Sequence, residues 1–196
     1  MRRQGSVGGR RQGSVGGSLL VATPRTGDFF RRTVVLVLHH DEDGAHGIVL
    51  NKPMDAQVAA VLPDWQPHVT PPGRLFQGGP VGMDTAMGLV SVPGAESGTG
   101  PLGISLLFGR LGLVDLDVPP PVVMSELSGL RIYVGYAGWT ARQLDEELVQ
   151  GGWYVVEHEA RDPFLLDTSQ LWQDVLIRQR NTLSLVATHT DHPEMN

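Results

Sequence analysis

Apolar residues along this chain come mostly in short unbroken runs, with glycine, proline and aspartate clusters between them, the pattern of a strand-dominated domain carrying a few amphipathic helices. Ser18-Leu19-Leu20-Val21-Ala22 predicts a short strand closed by Thr23-Pro24. Asp28 to Arg32 follows as a turn. From Thr33 to His40 the run Val34 to Leu38 contains no polar residue, so it predicts a strand buried on both faces. Asp41-Glu42-Asp43-Gly44 supplies a hairpin turn, and Ala45 to Leu50 returns as the partner strand. Met54 to Leu62, closed by Pro63, predicts a short helix that presents Val58, Val61 and Leu62 to the core.

The middle of the chain is richer in loops. Leu75 to Val81 reads as a strand running into the glycine turn Gly78-Gly79-Pro80, and Thr85 to Val92 as another strand. Pro93 to Pro101 is dense in glycine and reads as a mobile connection. Ile104 to Val118 predicts one or two further strands, and Val122 to Leu127 a single helical turn.

Leu130 to Trp153 is the most informative stretch. Ile132, Tyr133 and Val134 suit a half-buried pleated surface, and Gly135 and Gly138 bracket a change of direction. Thr140 and Gln143 then form a capping box, which starts a helix with Ala141, Leu144 and Leu148 on its inner face. Asp145, Glu146 and Glu147 read as its solvated face, and Gly151 stands at the C-cap position. Beyond it, Trp153 to Glu159 alternates as a strand, and the box Asp167-Thr168-Ser169-Gln170 opens a helix with an apolar stripe to about Arg180. Helices interrupt the strands irregularly, so the fold class is α+β.

Composition narrows the picture. A length of 196 residues with 41% hydrophobic content suffices for one domain with its own core. Its expected limits are residues 18 to 188. Residues 1 to 17, containing the octapeptide Arg-Arg-Gln-Gly-Ser-Val-Gly-Gly twice, read as a disordered arm, and residues 189 to 196 as a frayed tail. The absence of cysteine removes disulfides and thiolate chemistry and fits a reducing cytoplasm. No apolar run reaches the length of a membrane helix, so a soluble, cytoplasmic protein is expected.

Charge is unevenly distributed. Four of the 15 basic residues lie in the arm, while all 21 acidic residues lie beyond it, so the rest of the chain carries a formal −10. Such a body repels nucleic-acid backbone at long range, and direct nucleic-acid binding by it is disfavoured.

Candidate chemistry is sparse. His39, His40 and His46 surround the acidic hairpin tip, but no recognised metal-ligand spacing joins them, and a solvated tip is the favoured reading. Lys52 is the chain's only lysine. Between Asn51 and Pro53 it offers either a point charge for an anion or an amine nucleophile, weighed against a solvated strand-end residue. Gly78 and Gly79, together with Gly135, Tyr136, Gly138 and Trp139, form two turns that can approach a ligand closely, the second ahead of an expected helix start. Neither matches a phosphate-loop or dinucleotide fingerprint. No cofactor is implied.

Four ordered motifs carry a family resemblance: Leu19-Leu20-Val21-Ala22-Thr23-Pro24, Gly47-Ile48-Val49-Leu50-Asn51-Lys52-Pro53, Gly78-Gly79-Pro80-Val81, and Gly135-Tyr136-Ala137-Gly138-Trp139 followed by Gln143-Leu144, Glu147-Leu148 and Trp153. Through them the chain resembles the YqgE/AlgH family of bacterial proteins over roughly residues 18 to 180. The duplicated arm falls outside the match. The resemblance implies a single compact α+β domain with a large bent, barrel-like mixed β-sheet flanked by a few helices. It supplies no enzyme activity and no catalytic residues. Relatives are described as proposed transcriptional regulators, which the acidic body and the lack of a helix-turn-helix pattern do not favour here.

Two functions therefore stand open. The first is a non-enzymatic binding or regulatory protein whose partner is a small anionic ligand or a protein segment, held by Asn51, Lys52 and the glycine turns. The alternative is an enzyme acting on a small anionic or nucleotide-like substrate, with Lys52 or a histidine as its reactive group. DNA-binding regulation ranks third.

Overall fold

The computed structural model describes residues 13 to 95 and 100 to 187. The first twelve residues of the arm, the tail from residue 188 and residues 96 to 99 of the glycine-dense connection lie outside the described residues. Ten strands form one curled mixed sheet flanked by short helices. They are β1 (Ser18–Ala22), β2 (Val34–Asp41), β3 (Gly44–Val49), β4 (Pro53–Gln57), β5 (Arg74–Gln77), β6 (Val81–Ser91), β7 (Ile104–Phe108), β8 (Leu111–Val114), β9 (Gly129–Thr140) and β10 (Trp153–Glu157). The sheet order is β10-β1-β2-β3-β9-β6-β8-β7, and β4 and β5 join it as a hairpin whose β5 runs parallel to β9.

β9 is the axis of the sheet. Its Gly129–Tyr136 portion pairs with β6, while β5 and then β3 occupy its other edge. The sheet curls until its two ends meet through side chains. Phe108, on the outermost strand β7, lies 5.1 Å from the ring of His158 just beyond β10, and the Nδ1–H of His158 donates to the carbonyl of Gly17.

The unbroken apolar run of β2 is explained by cover on both faces. Leu19, Val21, Val34, Leu36, Ile48 and Tyr133 pack inward with Leu171, Trp172, Val175 and Leu176 from a helix at Leu171–Ile177. Leu20, Val35, Val37 and Val49 face the other way, against Trp139, Trp153 and Leu144, the last from a helix at Gln143–Val149. With both sides sheltered, alternation has no polar face to reveal.

Several expectations are corrected. Met54 to Leu62 is not a helix. Pro53 to Gln57 alternates in exposure as a strand paired with β5, and a short 3-10 turn at Val58–Ala60 follows. Gly135 and Gly138 do not bound a turn ahead of a helix, because β9 continues to Thr140. Gly135 adopts φ +69° inside the strand, opposite the irregular stretch of β6 between Val81 and Ala86, so it marks a bulge instead of a strand end, while Gly138 pairs in regular register with His46 of β3.

Neither capping box forms its expected side-chain cap. Thr140 is the last residue of β9, and only half of the exchange survives: Gln143 Oε1 accepts the Thr140 N–H at 3.1 Å. Asp167 Oδ1 instead accepts the Ser169 N–H in a local turn, and the following helix stops at Ile177. Gly151 does take the left-handed C-terminal conformation, at φ +73°. Ordered packing also starts ahead of Ser18. Val15 leans on the outer core, its N–H meets His40 Nδ1, and the Ser14 hydroxyl donates to the His40 carbonyl.

Candidate functional site

The residues singled out from sequence take up separate roles. Asn51 is a bracket: its Oδ1 accepts the Val34 N–H and its Nδ2 donates to the Arg32 carbonyl, both at 2.9 Å. This holds Arg32, at φ +53°, in the unfavourable turn that launches β2. Lys52 places its ammonium 3.8 Å above the ring of Phe29. Burial of the amine there pulls its pKa below the ordinary lysine value.

Gly78-Gly79 and Gly135-Tyr136 do come together. They meet as backbone against backbone: a Cβ on Gly79 would lie 1.9 Å from the carbonyl carbon of Tyr136, and one on Gly78 would lie 2.4 Å from the Gly135 oxygen. The Gly78 N–H donates to Val134 and its carbonyl accepts from Val49. These glycines let two segments of chain touch, and the contact itself fills the space a ligand would need.

Gly138 is exposed and pairs across the sheet with His46, whose ring lies 5.5 Å from that of Tyr136. Trp139 is buried in an aromatic cluster with Phe30 and Trp153. At the hairpin tip His39 Nε2 meets Asp41 Oδ2 at 2.7 Å, and His40 Nε2 lies 3.5 Å from Asp145 Oδ1. Among the described residues no group of three or more histidine, aspartate or glutamate side chains is arranged to hold a metal ion.

A residue passed over in the sequence is more unusual. Arg131, within β9, is only 1% exposed. Its Nη2 donates to the carbonyls of Pro71 and Leu165, both at 2.9 Å, and its guanidinium lies 4.3 Å from the centre of the Phe76 ring. Among the described residues its Nε and Nη1 have no hydrogen-bond acceptor and no carboxylate pairs with it. Burial pulls its pKa down, yet a guanidinium keeps its proton at any ordinary pH. The site therefore holds a buried cation with no anion beside it among the described residues, an arrangement whose desolvation carries a large cost.

Tyr133, two residues on and on the same face, is fully buried, and burial pushes its phenol well above the ordinary range. Its hydroxyl donates to the Pro163 carbonyl at 3.3 Å. The one sequence signal for this pair is a charge between Leu130 and Ile132 in an otherwise apolar strand.

Next to Arg131 lies a groove of about 360 Å³, lined by Asn51, Pro53, Pro72, Arg74, Phe76 and the segment Leu166 to Ser169. Pro72 and Leu166 directly follow the two residues whose carbonyls hold Arg131, and Phe76 supplies the ring against its guanidinium. The groove thus shares its wall with the buried cation. Of the residues proposed from sequence, Asn51 lines it and Lys52 does not. Arg74 is paired with Asp55 at 3.1 Å. The Ser169 backbone N–H holds the Asp167 carboxyl below its ordinary pKa.

A second groove, of about 270 Å³, runs past Arg25, Phe30, Glu147 and Trp153. Glu147 does not belong to a solvated face, as the sequence suggested. Its carboxylate accepts both neighbouring indole N–H groups and the Gln143 amide, so a structural role accounts for it fully.

A family model described as AlgH-like matches residues 19 to 184. A UPF0301 protein of Streptomyces avermitilis is 49% identical over 182 residues, spanning 92% of this chain and 94% of its own length. A UPF0301 protein of Streptomyces coelicolor is 48% identical over the same shares. Among solved structures, a crystal structure of a Corynebacterium diphtheriae protein superimposes with a TM-score of 0.83 at 29% identity, covering 96% of this chain and 95% of that one. The solution structure of the AlgH protein from Pseudomonas aeruginosa gives 0.68 at 28% identity, covering 97% and 100%.

Proposed function

The chain belongs to the AlgH-like family, and from that starting point we propose that it is a non-enzymatic binding protein that takes an anionic group in the groove between Asn51, Arg74 and Thr168. One observation carries the reading: Arg131 is a buried guanidinium with two unfilled N–H groups and no acid partner among the described residues, and the groove shares its wall. An anion seated there offsets the electrostatic cost of that cation, in surroundings where screening is weaker than in water. A binding role also suits the surrounding side chains. Thr168 offers a hydroxyl at the groove, while the Ser169 side chain is bonded to Asp167 and the Asn51 amide to backbone.

The test is a thermal-melt series on the full chain with small anions at constant ionic strength. Binding to the folded state raises the melting temperature in a concentration-dependent way. In Arg131→Met, which keeps a long apolar stem without charge, the shift is expected to disappear. An equal shift in wild type and variant refutes the reading.

A further inference from the structure

Resting on that reading of the groove, we infer that its ligand is a small organic monocarboxylate with an apolar body, and not a phosphate ester or nucleotide. The argument is a count of charge and surface around one cavity. Arg131 contributes a single uncompensated positive charge behind the wall. Arg74 adds little, because Asp55 already pairs with it. Asp167 lines the groove as a carboxylate, held ionised by the Ser169 N–H. The charges a ligand meets directly are Arg74, shared with the exposed Asp55, and the Asp167 carboxylate, while the Arg131 guanidinium acts from behind the wall.

A phosphate dianion needs more than this. Phosphate sites gather several donors and positive charges around the oxygens, from arginine forks, backbone nests or helix starts. This groove has no glycine-rich loop, and its Asp167 repels a dianion about twice as strongly as a monoanion. A monocarboxylate makes a smaller demand, matched by one cation behind the wall and the Thr168 hydroxyl, the Ser169 side chain being bonded to Asp167.

The rest of the lining selects the body of the ligand. Pro53, Pro72, Phe76 and Leu166 present apolar surface in a space of about 360 Å³, within the range of small-molecule sites. Leu166 is 69% exposed at the rim, a cost in water that an apolar ligand would relieve. The geometry points to a carboxylate directed toward the Pro72–Leu166 wall and a short hydrocarbon laid along Phe76 and Leu166.

The experiment follows backbone amide shifts of the full-length protein by NMR during titration with hexanoate, acetate, hexan-1-ol and inorganic phosphate. Hexanoate is expected to move the amides of Arg74 and Leu166 to Ser169 saturably. It should bind at least about tenfold tighter than acetate, since four further methylenes leave water, and tighter than the uncharged alcohol. Phosphate binding as tightly as hexanoate, or hexan-1-ol doing so, overturns the ligand class but leaves the groove as a site.

If none of the four moves these amides, the groove is not the binding site, and the proposed function falls with it. Hexanoate binding unchanged in Arg131→Met leaves the groove as a site but refutes the role of the buried cation, and the proposed function falls with it. Should that variant fail to fold, Leu166→Glu puts a negative charge at the exposed rim without touching the core. It is expected to weaken hexanoate at least about tenfold, a change of roughly 1.4 kcal/mol, and unaltered binding refutes the site.

Discussion

Trp139 and Trp153, on strands that are not neighbours in the sheet, donate their indole N–H groups to the same oxygen, Oε2 of Glu147, at 2.9 and 2.8 Å. The other oxygen accepts Gln143 Nε2 at 3.0 Å. One helix side chain therefore ties β9 to β10 across the outer core. Glu147→Ala leaves two indole donors without their acceptor and is expected to cost about 2 kcal/mol. Glu147→Gln keeps an acceptor oxygen and should lose roughly half as much on the same hydrogen-bond scale. Urea unfolding followed by tryptophan emission reads both, and equal losses in the two variants would contradict a hydrogen-bonding role.

Asp162 is 2% exposed in its side chain and binds Arg178 through both oxygens, at 2.6 and 2.8 Å, while Oδ2 also accepts the Glu159 N–H. Removing one partner of so sheltered a pair strands the other charge. Asp162→Ala is expected to lose about 3 kcal/mol or more, and the double variant with Arg178→Met to lose less than the sum of the two single changes. Strict additivity in denaturant titrations would show that the pair is not coupled.

The contact between Gly79 and Tyr136 leaves no room for a methyl group. Gly79→Ala is expected to destabilise by about 3 kcal/mol or to abolish folding, because backbone on both sides must shift. Gly27 makes a control, with nothing within 4 Å of an added Cβ and an ordinary φ of −64°. Gly27→Ala should change stability little. Similar melting temperatures for the two variants would refute the packing argument.

Lys52 is the sole side-chain amine, so acylation away from the N-terminus reports on it alone. Its folded pKa lies below the ordinary 10.5 through burial. Between the folded value and 10.5 the unfolded chain binds more protons than the folded one, so this group's contribution to stability rises with pH across that window. The acylation rate should reach half its plateau below pH 10.5 in native protein and near it in urea. Coincident profiles would show that the amine is not perturbed.

Sequence and structure agree best where local physics is strong. The β2–β3 hairpin was legible because Val34 to Leu38 is unbroken and Asp41 to Gly44 closes a tight turn, with Glu42 and Asp43 at its tip. Glycine misled where it did not end an element: Gly135 and Gly138 sit inside β9, the first opposite an irregularity in the neighbouring β6 and the second in regular pairing with His46. Val58 drew Met54 to Leu62 into a helical reading, although Pro53 to Gln57 alternates with the period of a strand.

The candidate site was less legible. Asn51 and the family signature could be read directly, but Arg131 looked like one polar residue in a strand. Its importance rests on Phe76, Pro71 and Leu165, which the fold brings to it from distant parts of the chain. Glu147 was hidden in the same way, because its two indole partners meet only when β9 and β10 are in place.

The antiparallel pairing of β1 with β10, from Ser18 opposite Glu157 to Ala22 opposite Trp153, delays completion of that end of the sheet until late in synthesis. As the chain leaves the ribosome, β1 can meet β2 early, but its outer edge waits for a strand translated near the end. Until then an unpaired apolar edge is available to other nascent chains. A chain stopped short of Trp153 leaves that edge of β1 uncovered, and synthesis of β10 is the step that closes it.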